Sequence, residues 1–181
     1  LSPLVGRRFL DVMALPFPRH RPPCMQLRMS DGSQAEYSLA TTDWAITSRA
    51  DLSRALLGRA QDNGHVRHVR QRVTDLERVE EGWSLHTSTG EVFTADFVVG
   101  ADGVRSVVRR QVVGPIPRQH LGLAVGYWVR DAPDALVFQT YADMEGYLWS
   151  FPRVDHASVG MCTRLGAIST RDLCQRVDRF L

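Results

Sequence analysis

Lysine is absent from this chain: its 22 basic side chains are all arginine, set against 20 acidic ones for a formal net charge of +2. Charges of the two signs are interspersed and nearly cancel, which argues against the basic stripe that nucleic-acid binding needs. A GC-rich coding sequence accounts for the arginine bias as plain composition; phosphate recognition is the functional alternative, because the guanidinium fork matches phosphate oxygens. Cysteine is scarce. Cys24, Cys162 and Cys174 are far apart, odd in number and free of CxxC or zinc spacing, so a disulfide framework is not indicated and a reducing compartment is expected. His65 and His68 would face opposite sides of a strand, and His20, His86, His120 and His156 lack ligand partners at a recognisable spacing, so no metal is expected. No GxSxG elbow supports hydrolase chemistry. No apolar run reaches the ~18–20 residues of a membrane span, and no signal-peptide pattern opens the chain.

What is present divides into three stretches. Residues 1–47 read as a substrate-type β segment with proline-rich connections and a hairpin, Met25–Arg28 and Gln34–Tyr37, turning at Asp31-Gly32. Residues 48–114 begin with helical spacing at Leu52, Ala55, Leu56 and Ala60, stopped near Asn63-Gly64. Three strand-like pieces follow, over 65–79, 82–88 and 91–94, forming a β-meander. Residues 115–181 alternate as strands over 121–129, 135–141, 146–151 and 157–163, an antiparallel sheet followed by the start of a helix at 170–179. The chain opens on Leu1 rather than Met and stops just after that helix, so both ends are expected to be cut from a longer protein.

The densest information lies in Asp96-Phe97-Val98-Val99-Gly100-Ala101-Asp102-Gly103-Val104-Arg105-Ser106. An apolar run too short for a helix breaks into Gly-Ala-Asp-Gly and restarts as a polar helix, which reads as a buried strand, a tight turn and a helix. Ligands collect at such strand ends in α/β sheets, and a helix start turns unpaired N–H groups toward an anion. On turn chemistry alone, an Asx-turn with a structural glycine weighs about the same as an anion site.

This turn resembles the Asp-Gly fingerprint of FAD-dependent monooxygenases and their relatives, the geranylgeranyl reductases. Tyr147-Leu148-Trp149-Ser150-Phe151-Pro152, followed by Val159-Gly160-Met161-Cys162, resembles the reductases' YxWxFP motif with its trailing GxG, except that Cys162 stands in place of the second glycine. The resemblance implies an incomplete α/β, Rossmann-like FAD/NAD(P)-binding domain with a β-meander, plus an antiparallel substrate-domain sheet. It implies FAD as cofactor, NAD(P)H as a candidate electron donor, and reduction of isoprenoid double bonds in the full-length enzyme, with the fragment alone inactive. A hydrophobic small molecule is the expected partner, and the cytoplasm, with peripheral membrane association as an option, the expected location. By the same resemblance Arg49, just before the first helix, reaches the FAD diphosphate or adenosine side, Val73 offers main-chain groups to the adenine, and Asp102 and Gly103 form the Asp-Gly turn. Asp51 is the competing partner for Arg49, and an ordinary core valine the plain reading of Val73. Asp102 is expected to orient the turn through backbone N–H groups or to pair with Arg49 or Arg109.

Tyr147, Trp149 and Phe151 alternate, so on a strand they face one way as an aromatic wall suited to an apolar substrate, or equally to a sheet core. No residue is identifiable as the proton donor, so no catalytic residue is assigned. Two other functions fit the same residues: a flavin hydroxylase or halogenase acting on an aromatic or polyketide substrate, and a truncated, non-catalytic module that holds lipid or a protein partner.

Overall fold

The computed structural model describes residues 14–42 and 44–181. Leu1–Met13, the beginning of the expected 1–47 segment, lie outside the described residues. Two compact units are formed, one by the described residues up to Val66 together with Gly122–Leu181, the other by Arg67–Leu121.

The first unit is built on a six-stranded sheet. Its strands are β1 (Cys24–Arg28), β2 (Gln34–Ser38), β6 (Gly122–Val129), β7 (Leu136–Thr140), β8 (Gly146–Pro152) and β9 (Ala157–Arg164), in the order β2-β1-β7-β8-β9-β6. Every pairing is antiparallel except β1 with β7, which is parallel. A parallel pair needs a long crossover, here all the chain between β1 and β7, β2 included. The β1–β2 hairpin closes as expected at Asp31-Gly32: Gly32 takes φ +86°, and the Asp31 carboxylate accepts from the Ser33 amide at 2.8 Å and its hydroxyl at 2.6 Å.

Helix α1 (Arg49–Gln61) also belongs to this unit; Ser48 caps it, its hydroxyl oxygen accepting from the amides of Ala50 at 3.2 Å and Asp51 at 3.5 Å. The stripe Leu52, Ala55, Leu56 and Ala60 is half-buried. The core lies where the last helix of the chain (Thr170–Phe180) packs on β6 and β9. Its Leu173 and Val177, one turn apart, are fully buried against Leu148, Val159 and Met161. Complete burial of each such side chain contributes about 1.5–3 kcal/mol. Ser169 starts this helix, its hydroxyl accepting from the Asp172 amide at 3.1 Å.

The second unit is the expected β-meander, β3 (Val73–Val79), β4 (Gly82–Thr87) and β5 (Val92–Ala95), with helix α2 (Val107–Val112) packed on β3. The helix of the first unit at Thr170–Phe180 is therefore α3. Gly82 and Gly90 turn the meander with φ of +116° and +85°. Residues 65–72, expected as the start of a long first strand, are not strand.

A second expectation fails at the segment before the Asp-Gly turn. Phe97–Val99 is neither strand nor buried: Phe97 is 89% and Val99 87% exposed. A strand exists only where a neighbour completes its hydrogen-bond ladder, and no described strand pairs with these residues.

Candidate functional site

Strand β8 has two faces with different fates. Leu148, Ser150 and Pro152 are buried, whereas Tyr147, Trp149 and Phe151 alternate onto the opposite side, which α3 does not cover. The register sets Phe138 of β7 opposite Trp149. Its ring lies 5.6 Å from that of Tyr147 and 5.2 Å from that of Phe151, and Trp149 is 6.1 Å from both Tyr147 and Phe151. These tilted and edge-on contacts suit the ring quadrupoles. Trp149 Nε1 donates to Ser158 Oγ at 3.3 Å. Burial, followed by the neighbouring Cys162, raises the Tyr147 phenol above its ordinary value, so at neutral pH it is a protonated donor.

Across the strand pair, Trp149 stands opposite Gly160 and Tyr147 opposite Cys162. A Cβ at 160 would press into the indole at Cζ2 and lie 2.5 Å from the Val125 carbonyl oxygen. Gly160 is thus the space into which Trp149 lies. Cys162 needs no such space, and its thiol points at the Tyr147 carbonyl oxygen at 3.7 Å. The structure brings the three aromatic residues singled out in the sequence onto one face and adds Phe138, whose membership follows only from the cross-strand register.

Arg49 is exposed and opens α1, where a guanidinium opposes the helix dipole. Asp51, the competing partner, instead accepts from Arg54 Nη1 at 2.8 Å. Among the described residues Arg49 has no ion-pair partner. An uncompensated cation at this position fits an anionic group such as the FAD diphosphate.

Val73, Asp102 and Gly103 belong to the other unit. Val73 is a half-buried first residue of β3, and the ladder to β4 shifts register between Val73 and Asp75, so regular main-chain pairing is interrupted beside it. Gly103 turns with φ +80°. The Asp102 carboxylate does not pair with arginine: it accepts from the amides of Val107 at 2.6 Å and Val108 at 3.4 Å and from the Ser106 hydroxyl, while Ser106 Oγ accepts from the Arg109 amide at 2.9 Å. The first-turn amides of α2 are therefore taken by the protein's own side chains. This corrects the expectation that they face a phosphate, since a donor already bonded to a carboxylate has little left for a second anion. Asp102 and Gly103 shape the turn.

The Ser106 hydroxyl and then the Val107 amide hold the Asp102 carboxyl below its ordinary value. A depressed carboxyl stabilises the folded turn above the unfolded value, ~3.9, and loses that contribution as pH falls through the lower folded value. The amide signals of Val107 and Val108 are expected to shift together, following Asp102, with a midpoint below the ordinary carboxylate value. Titration of both amides at the ordinary carboxylate value would contradict this cap.

Among the described residues no helix is long and apolar enough to cross a membrane, and no group of three or more metal-ligating side chains is found.

The profile of the family described as FAD binding domain matches residues 21–175. Over 100 residues the chain is 35% identical to the FAD-dependent monooxygenase ausM of Aspergillus calidoustus, an overlap covering 52% of this chain and 20% of that protein. Over 76 residues it is 34% identical to 3-hydroxybenzoate 6-hydroxylase of Polaromonas naphthalenivorans, covering 41% and 19%. In fold it is similar to HpxO of Klebsiella pneumoniae crystallised with FAD and uric acid, at TM-score 0.60 and 21% identity, covering 94% of this chain and 47% of that one. It is also similar to the peptidyl tryptophan dihydroxylase QhpG, at TM-score 0.67 and 20% identity, covering 100% and 43%. The chain thus spans less than half of these solved relatives. These relatives are monooxygenases and hydroxylases, which corrects the narrower resemblance to geranylgeranyl reductases: the Trp149–Gly160 packing accounts for the motif on which that resemblance stood. With 21–175 matched, this chain belongs to the FAD binding domain family of flavoprotein monooxygenases.

Proposed function

We propose that this chain is part of a FAD-dependent monooxygenase that hydroxylates a small aromatic molecule held against Phe138, Tyr147, Trp149 and Phe151. The observation that carries the reading is that open face, four rings in mutual contact on the side of the sheet opposite the α3 core. A planar aromatic substrate would gain about 0.5–1.5 kcal/mol from each well-placed ring contact beyond its buried area. The hydroxylase and monooxygenase names of the relatives support the same chemistry.

Bound FAD would supply the electron transfer from NAD(P)H and the activation of dioxygen. One oxygen atom enters the substrate, the other leaves as water, and NAD(P)H is oxidised. The chain's own part is positioning. Arg49 offers a cation to the diphosphate, Val73 main-chain groups to the adenine, and Asp102 with Gly103 a fixed turn. The aromatic face orients the substrate, Tyr147 adds a protonated hydroxyl as a donor, and the rings keep water from one side of it.

The complete protein is expected to be yellow and to oxidise NAD(P)H only with dioxygen present, faster when an aromatic substrate is added. Saturation of a double bond without dioxygen would contradict the proposal, as would a folded, colourless complete protein.

A further inference from the structure

On the side of the sheet opposite the aromatic face, α3 packs on β6 and β9. Beside it opens a hollow of about 610 Å³, lined by Arg28 of β1, Gln139 of β7, Tyr141, Asp143, Arg176 and Arg179. Arg28 and Gln139 stand opposite each other in the parallel strand pair. Gln139 in turn pairs with Leu148, which faces the α3 core, whereas its neighbour Phe138 belongs to the aromatic face. An occupant of the hollow is therefore a different molecule from one held against the four rings.

We infer that this hollow binds a phosphate dianion, free or borne by a small metabolite, with Arg28 and Arg179 as its cationic partners and the Tyr141 hydroxyl as a third donor. Charge is the first argument. The lining holds three guanidinium groups and one carboxylate, an excess of two positive charges. That carboxylate is already engaged, since Arg176 donates to Asp143 through Nη1 at 2.9 Å and also through Nη2. Neither Arg28 nor Arg179 has an ion-pair partner among the described residues. Arg28 Nε is in addition buried without a hydrogen-bond partner, a costly state for a cationic N–H that an arriving anion would relieve. Glu36 does not relieve it: its carboxylate accepts from Gln26 Nε2 at 2.9 Å, and Gln26 Oε1 accepts from Arg28 Nη2 at 3.0 Å.

The donors are also held in place. The Arg28 guanidinium lies over the Phe180 ring at 5.6 Å, and that of Arg176 over the Tyr141 ring at 5.5 Å. Gln139 Nε2 donates to the Tyr141 hydroxyl oxygen at 3.0 Å, which leaves the hydroxyl's own hydrogen for an outside acceptor. Burial raises the Tyr141 phenol above its ordinary value against the pull of Arg176, with Asp143 adding to the rise, so it stays protonated. A carboxylate would fill one guanidinium fork and balance one charge. A phosphate dianion balances both and offers three strong acceptor oxygens to the three donors.

The test is calorimetric titration of the complete, FAD-loaded protein with inorganic phosphate, ribose 5-phosphate and acetate, at about pH 8, where a phosphate group is mostly doubly charged. Inorganic phosphate is expected to bind at least about tenfold more tightly than acetate. Arg28→Gln and Arg179→Gln should each weaken it by about tenfold or more, the scale of one hydrogen bond to a charged group. Arg171, an exposed α3 arginine outside the lining, is the control, and Arg171→Gln should leave the affinity unchanged. Tighter binding of ribose 5-phosphate than of inorganic phosphate assigns the site to a phosphate ester, and equal or weaker binding assigns it to free phosphate; both support the inference. Acetate matching phosphate overturns it, as does a lack of binding by both phosphate probes. An equal loss in Arg171→Gln would reduce the effect to general charge and overturn it too. Should Arg28→Gln fail to fold, an undiminished affinity in Arg179→Gln would be decisive against the site. Release of flavin during the titration would assign the heat to the cofactor site instead, which also overturns the inference.

Discussion

Gly160→Ala is expected to destabilise the protein by about 3 kcal/mol, at the upper end of the usual cost of overpacking. The added methyl would meet the Trp149 indole on one side and the Val125 carbonyl oxygen at 2.5 Å on the other. The indole can move, but only by leaving its hydrogen bond to Ser158 and its contacts with Tyr147 and Phe151. The carbonyl belongs to β6 and is held in the ladder with β9. Chemical denaturation measures the loss. Combining Gly160→Ala with Trp149→Ala should recover only the part due to the indole, a coupling that a double-mutant cycle reads directly. An unchanged midpoint for Gly160→Ala would contradict the packing of Trp149 over Gly160.

Leu148→Ala is expected to cost about 2–5 kcal/mol. Leu148 is fully buried at the centre of the cluster with Val159, Met161, Leu173 and Val177, so truncation leaves a cavity between the sheet and α3. Its neighbours along the strand, Tyr147 and Trp149, carry the aromatic face on the other side, so loosening the core should also weaken the near-ultraviolet circular dichroism of those rings. Denaturation together with that spectrum checks both parts. A stable variant with a weakened aromatic signal would mean that α3 does not anchor this sheet.

The strands and helices were legible wherever the pattern was local. The Asp31-Gly32 hairpin, the stripe Leu52, Ala55, Leu56 and Ala60, and the alternation of Tyr147, Trp149 and Phe151 depend on neighbours a few residues away, and the structure has them all. What depends on distant partners was not legible. Phe97–Val99 has the composition of a buried strand, but composition cannot supply the neighbouring strand that burial requires. Phe138 joins the aromatic face, and Arg153 stacks on Trp128, through register and turn geometry that no spacing encodes. The parallel pairing of β1 with β7 is likewise set by a crossover rather than by either strand.

The motif around Trp149 shows why a correct pattern led to too narrow a family. Tyr147, Trp149 and Phe151 on one face, with a glycine across from the indole, is a packing solution for a large ring on a sheet, and Cys162 satisfies its second position by turning its thiol toward the Tyr147 carbonyl. Such a solution is tied to the sheet, whereas the chemistry depends on the cofactor and on the substrate placed against it. At the Asp-Gly turn, of the two roles expected for Asp102 the structure has the first: it orients the turn by accepting from the amides of Val107 and Val108, which are therefore not turned toward an outside anion.

The most direct measurement is mass analysis of the product formed by the complete protein from NAD(P)H, a small aromatic substrate and isotopically heavy dioxygen. A FAD-dependent monooxygenase places one heavy oxygen atom in the product. A product that gains hydrogen but no heavy oxygen, or oxygen drawn from water, would contradict that function.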